Sequence, residues 1–148
     1  MRARNVGILA IWIASVACGA NAAAQTAVGV TAGELIVEPP TLISLGFEWY
    51  VEGDTDRDAA VAVAYRRKGD SDWRQSLPLL RVQNERTFYV ETLYYTAPNM
   101  FAGSVFELAE NTEYEVRFAL TDADGVSGQA ERVVSVRARP EAFSRRMP

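Results

Sequence analysis

"EYEVRFALT" runs from Glu113 to Thr121, and its pattern decides the fold. Tyr114, Val116, Phe118 and Leu120 take every second position, and Glu113, Glu115, Arg117 and Ala119 fall between them. Side chains of a strand point alternately to its two faces, so this segment predicts a strand with one face on a core and one in water. It is followed by "DADG", Asp122 to Gly125, whose Asp and Gly suit a tight turn.

The same alternation recurs on either side. In "TLISLGFEWYVEGD", Ile43, Leu45, Phe47, Trp49 and Val51 are expected on one face, with Ser44, Gly46, Glu48, Tyr50 and Glu52 on the other. Upstream, residues 25–34 read as a lead-in, and "ELIV" as a short edge strand stopped by Pro39 and Pro40, since proline cannot donate to a ladder. Downstream, Val61, Val63 and Tyr65 alternate with alanines. "KGDSD" then turns the chain, and Trp73 opens a strand toward "LPLLRV" that Pro78 makes irregular. "MFAGSVFEL" and "ERVVSVRARP" complete the set, with Val134, Val136 and Ala138 on one face and Pro140 as the stop. Residues 83–99 are aromatic-rich and show no clear period. No segment sustains a helical period. About seven short strands with turns between them predict an all-β, antiparallel β-sandwich.

"LAENTEYEVRF", with Leu108, Thr112 and Tyr114 in register, resembles the F-strand signature of fibronectin type III domains, although Glu110 stands where many members carry proline. Trp49 matches the buried tryptophan of strand B, "AYRRKGDSDW" resembles strand C and its turn, and "VSVRARP" resembles strand G. The resemblance covers residues 35–140 and implies an immunoglobulin-like sandwich in which Trp49, Leu108, Thr112 and Tyr114 are structural. In such sandwiches a tyrosine at this corner buries its ring and turns its hydroxyl to nearby backbone. "LISLGFEWYVEGD", "LPLLRVQNE" and "NMFAGSVFEL" also resemble the fibronectin-like module at the N-terminus of bacterial secreted parallel β-helix enzymes of the polysaccharide-lyase kind. That likeness implies an accessory module beside a downstream catalytic domain.

The ends and the composition bound the rest. Arg2 and Arg4, an apolar run from Val6 to Ala17, and Ala22-Ala23-Ala24 form a secretory signal over residues 1–24, with cleavage expected after Ala24. The run falls short of the ~20 residues that span a bilayer. Lipidation at Cys18 is the rival reading, but Ser15 sits where such sites favour an aliphatic residue. The mature chain is expected in the periplasm or outside the cell, with residues 141–148 as a tail or linker. Cys18 is the only cysteine of 148 residues and there is no histidine, so the exported chain has no disulfide and no Cys/His zinc site. The formal charge is −4, and losing Arg2 and Arg4 makes it −4 − 2 = −6. An acidic surface disfavours nucleic acid and anionic lipid.

Two groups of residues are candidates for a site. Asp54, Asp56 and Asp58 have the opening spacing of a calcium loop, but Ala59 and Tyr65 stand where an EF-hand places Gly and Glu. The implied topology puts their loop at the same pole as Asp122 and Asp124, so five carboxylates are expected to converge. Turn chemistry alone also explains these residues. The expected cofactor set is none, with calcium as the alternative. The aromatics Phe88, Tyr89, Tyr94 and Tyr95 are the second group. Phe88 or Tyr89 is expected inside the core, and part of the Tyr94–Tyr95 pair in a contact with another domain. Stacking on a polysaccharide is the alternative role. No catalytic constellation is present: Glu113 and Glu115 lie on one strand, where a glycosidase needs carboxylates across a cleft. The expected role is a non-catalytic accessory module, and the alternative is a free-standing polysaccharide- or protein-binding sandwich at the cell envelope.

Overall fold

The structure, a computed structural model, describes residues 28–89 and 93–141. The expected signal segment with Cys18, the first residues of the expected lead-in, the residues from 142 on and the side chain of Tyr89 lie outside what is described. Among the described residues there are eleven strands and no helix. They are β1 (Val30–Val37), β2 (Leu45–Gly53), β3 (Ala60–Arg67), β4 (Arg74–Gln75), β5 (Leu80–Val82), β6 (Arg86–Tyr89), β7 (Leu93–Thr96), β8 (Met100–Val105), β9 (Glu113–Thr121), β10 (Val126–Ser127) and β11 (Glu131–Arg137). One sheet has the order β10-β1-β2-β8-β5, the other β11-β9-β3-β4, and β6 and β7 form a separate two-stranded hairpin. The two large sheets face each other as a β-sandwich.

The period-two segments build the core as expected. Leu45, Phe47, Trp49 and Val51 of β2 face Tyr114, Val116, Phe118 and Leu120 of β9, and all eight are buried. Phe118 meets Phe47 and Trp49 edge to face, at ring separations of 4.8 and 6.3 Å. Leu108 is buried, and the buried Tyr114 accepts a hydrogen bond through its hydroxyl from the Ala109 N–H, at 2.9 Å. Thr112 lies on the turn before β9, where its hydroxyl donates to the Glu110 carbonyl and its own carbonyl accepts from the Ala138 N–H.

The structure differs from the sequence reading at four places. The first strand starts at Val30 inside the expected lead-in, and a bulge between Ala32 and Leu35 breaks its alternation. The segment around Pro78 is two strands: β4 bonds to β3, and after Leu79 the chain crosses to the other sheet, where β5 bonds to β8. Pro78, with no N–H to give, interrupts the first pairing, which resumes for one bond at Leu79, whose N–H donates to the Val61 carbonyl, before the chain crosses. The pairing is not wholly antiparallel, since β10 runs parallel to β1 for two residues before the chain crosses at Gly128 to β11. Ile43 is 61% exposed and off the core face. Thr41 Oγ1 accepts from the N–H groups of Ile43 and Ser44, so this segment is a side-chain-closed turn that β2 enters only at Leu45.

The bulge in β1 has a steric cause. Gly33 packs so closely on β2 that a Cβ there would sit 2.6 Å from the Tyr50 carbonyl oxygen. Its own carbonyl accepts from the Trp49 indole at 3.3 Å and from Arg132 at 3.1 Å. Gly33→Ala must open the β1–β2 contact, and urea unfolding is expected to show a loss of about 1–3 kcal/mol, the usual cost of overpacking a tight site. An unchanged midpoint would contradict the packing described.

Candidate functional site

Strand direction sorts the loops into two poles. β1, β3, β8 and β11 run one way and β2 and β9 the other. One pole therefore holds the β2–β3 loop, the β9–β10 turn and the β6–β7 hairpin. The other holds the turns around Thr41 and Phe106 and the exit of the chain at Pro140.

The first pole is built on Asp54. Gly53 and Asp54 both have positive φ, 79° and 51°, which turns the chain sharply after β2; aspartate tolerates that region better than most side chains. Asp54 is fully buried. One carboxylate oxygen accepts from the Ala59 N–H at 3.2 Å, and the other is ion-paired with Arg81 of β5. Arg81 also donates to the carbonyls of Val82 and Met100 and lies over the Phe101 ring. The Asp54 carbonyl accepts from Gln83 Nε2 at 3.1 Å, and Asn99 Nδ2 donates to the Gly53 carbonyl. The β2–β3 loop and both feet of the β6–β7 hairpin are thus fixed to one buried ion pair.

The five aspartates do converge. Single carboxylate oxygens of Asp54, Asp58 and Asp122 lie within 4.8 Å of one another, and so do those of Asp56, Asp58 and Asp124. Asp58 joins the two sets. Asp54 is already neutralised by Arg81, while Asp56, Asp58, Asp122 and Asp124 form no ion pair among the described residues. Asp122 serves the turn: its Oδ1 accepts from the Asp124 N–H at 2.7 Å, and its carbonyl accepts from the Gly125 N–H. Its Oδ2 is buried without a partner. Loss of solvent raises the Asp58 carboxyl above the ordinary value, and the charges of Asp56, Asp122, Asp124 and Asp54 raise it further. Asp124 is raised for the same reasons, desolvation first and Asp56 next. Oxygen ligands gathered in this way are what a hard cation takes.

The hairpin stands beside this cluster. Phe88, Tyr94 and Tyr95 are 68, 64 and 57% exposed. Of the pair Phe88 or Tyr89 expected inside the core, the Tyr89 side chain lies outside what is described, and Phe88 is not a core residue. The reason is topological: the hairpin pairs only with itself, so no second layer covers it. Phe88 and Tyr94 stack edge to face across the hairpin at 5.3 Å. Tyr95, on its other face, stands near Tyr50. The Tyr50 hydroxyl is raised above its ordinary value, first by its hydrogen bond to Glu48 and to a lesser degree by Tyr95 and Glu34.

The second pole carries a surface that alternation did not mark. Ile43 and Phe106 are 61 and 56% exposed. They lie on adjoining segments, because Leu45 pairs with Val105 and the Leu108 N–H donates to the Ile43 carbonyl. At the same pole Pro39, Pro40, Ala138 and Pro140, with Arg137 and Arg139, line an open groove of about 360 Å³. The available signal was the cluster of Pro39, Pro40 and Pro140 at strand ends.

No protein-family model matches the chain, and no curated protein matches it. Among solved structures it is similar to a computationally redesigned β-sandwich protein, 15% identical, over 73% of this chain and 95% of that one, with a TM-score of 0.41. No helix among the described residues is long and apolar enough to cross a membrane.

The raised carboxyls have a definite sign. Asp58 and Asp124 hold protons more tightly in the folded protein than in the unfolded chain. Stability from this source is full below the unfolded Asp value, about 3.9, and is lost as pH rises through the higher folded value. Asp58→Asn and Asp124→Asn are expected to unfold at higher temperature than the parent at pH 7, and the gain is expected to vanish near pH 3. Turn chemistry also predicts a heat-free calorimetric titration with calcium into the millimolar range, whereas a binding isotherm would assign the cluster to a cation.

Proposed function

We propose that this chain is an exported, non-catalytic sandwich of the fibronectin type III kind that serves as an accessory module, packing against a downstream domain of a carbohydrate-active enzyme. Several features support the fold assignment. β1-β2-β8-β5 follows the A-B-E-D order and β11-β9-β3 the G-F-C order of immunoglobulin-like sandwiches, and the Tyr114 hydroxyl meets backbone five residues upstream. The observation that carries the functional reading is the exposed Ile43 and Phe106 together with the proline groove of Pro39, Pro40 and Pro140, which Arg137 and Arg139 also line, placed where the chain leaves the sandwich. Exposed apolar groups beside a chain exit mark a contact with a neighbouring domain.

The second reading is a free-standing binder of polysaccharide or protein at the cell envelope. The exposed Phe88, Tyr94 and Tyr95 favour it. Their hairpin is at the pole away from the exit, about 30 Å off for the nine-residue β2 at about 3.3 Å per residue, so it does not serve the same contact.

Immunoblotting of the source cells with an antibody to this sandwich separates the two. The accessory reading expects a band far larger than the 148-residue chain accounts for, and a band of that chain's size or smaller overturns it. In a polysaccharide gel-shift the binder reading expects retardation that Tyr94→Ala and Tyr95→Ala reduce severalfold.

A further inference from the structure

We propose that the outer edge of β11, which no other strand among the described residues pairs, is a pairing surface for a second copy of this chain, joined antiparallel about a two-fold axis at Val134.

The edges of the two large sheets are unequal. β4 and β10 offer two residues each and β5 three, which is one way sheets blunt their edges. β11 offers seven. Its bonded side is fixed by the ladder's two ends, where the Leu120 N–H donates to the Ala130 carbonyl at 2.8 Å and the Ala138 N–H to the Thr112 carbonyl at 2.9 Å. In an antiparallel ladder the hydrogen-bonded pairs recur at every second residue, so Arg132, Val134 and Val136 bond to β9. The N–H and C=O groups of Glu131, Val133, Ser135 and Arg137 point the other way. Arg139, next in that series, donates to the Thr41 carbonyl at 2.8 Å, so outward bonding is realised there and the open stretch ends at Arg137.

A second β11 laid antiparallel with Val134 on the axis puts Glu131 opposite Arg137 of the second copy and Val133 opposite Ser135. These are pairs whose free groups face each other, so each exchanges two hydrogen bonds. The charges complement at both ends. Glu131 has no ion pair among the described residues, and Arg137, its side chain 55% exposed, donates Nη1 to the Asn111 carbonyl at 2.9 Å and Nη2 to Glu113 at 3.3 Å; its five N–H donors leave others for a carboxylate opposite. Moving the axis to Val133 leaves Arg137 without an opposite charge. Moving it to Ser135 requires the Arg139 N–H that Thr41 already holds. The remaining charge, Arg132, is turned inward to the Gly33 carbonyl and lies over the Trp49 ring, clear of an incoming strand. Val133, 57% exposed, is an apolar contact on the outer face.

Sedimentation equilibrium of the purified chain is expected to show the mass doubling between about 10 µM and 1 mM, the range of small, weak interfaces. Val133→Pro removes an N–H that β9 does not use, so the circular dichroism should be kept and dimerisation weakened at least tenfold. Glu131→Arg alone and Arg137→Glu alone should each be monomeric, and an equimolar mixture of the two should dimerise. This mixture keeps the test decisive if the proline variant fails to fold. A parent chain that stays monomeric at 1 mM, or a dimer indifferent to the charge reversals, overturns the proposal.

Discussion

A fully buried carboxylate, Asp54, held by Arg81 sets the architecture of the loop-bearing pole. Removing one partner of a buried pair leaves the other charge without compensation, at a cost of about 3–5 kcal/mol. Here more than stability depends on it. Arg81 belongs to β5, which joins its sheet only after the chain has crossed from β4, and Asp54 belongs to the loop leaving β2. The pair, with Gln83 and Asn99 beside it, fixes where the aromatic hairpin emerges and where the other four aspartates collect. Hydrogen bonds inward from Ala59 and Arg81 leave Asp54 little to offer a ligand. Its place in the chain resembles the first position of a metal loop, but its chemistry is that of an anchor.

Much of the sandwich was legible because two strands carry unbroken alternation. β2 and β9 hold Trp49, Phe47, Phe118 and Tyr114, and a period-two pattern with one polar face has a single low-energy arrangement. Alternation fails where local chemistry competes with it. Thr41 closes a turn through its side chain and frees Ile43 from the core, and Gly33 inserts an extra residue so that Tyr50 can approach. The sheet switch after Pro78 was only half legible. The proline announced a break, but which sheet received Leu80 depends on β8, twenty residues away, and no local pattern contains that.

The candidate sites divide in the same way. The convergence of the aspartates followed from topology once the strands were placed, since two loops joining neighbouring strands at one end must meet. The division of labour within the cluster was not legible, because Asp54 and Asp56 look alike in sequence and only burial against Arg81 separates them. The hairpin was legible as aromatic, with part of the Tyr94–Tyr95 pair facing outward, but the exposure of Phe88 was not settled by its sequence. Burial of an aromatic requires a second layer, and the absence of one beneath β6 and β7 is a property of the whole chain path.

Charge is distributed unevenly over the two poles, and this bears on what the protein can meet. On the outer face of the β3–β9–β11 sheet the acids of β9 are matched: Arg66 pairs with Glu115 at 2.7 Å, and Lys68 and Arg137 flank Glu113, whose carboxyl they hold below its usual value, with the Lys68 hydrogen bond the leading cause. Trp73 packs against the guanidinium groups of Arg66 and Arg117, at 4.5 and 4.7 Å from its ring centre. At the aspartate pole Arg81 pairs with Asp54 and Arg57 with Glu85, while Asp56, Asp58, Asp122 and Asp124 form no ion pair among the described residues. A polyanion approaching the neighbouring hairpin is repelled by Asp56, Asp58, Asp122 and Asp124, over a range of about 8–10 Å at physiological salt. The hairpin carries a cation of its own, Arg86 over the Phe88 ring at 6.0 Å, so the repulsion weighs most on the Tyr94 and Tyr95 ring faces, which suit neutral sugars or a protein surface better than a polyanion.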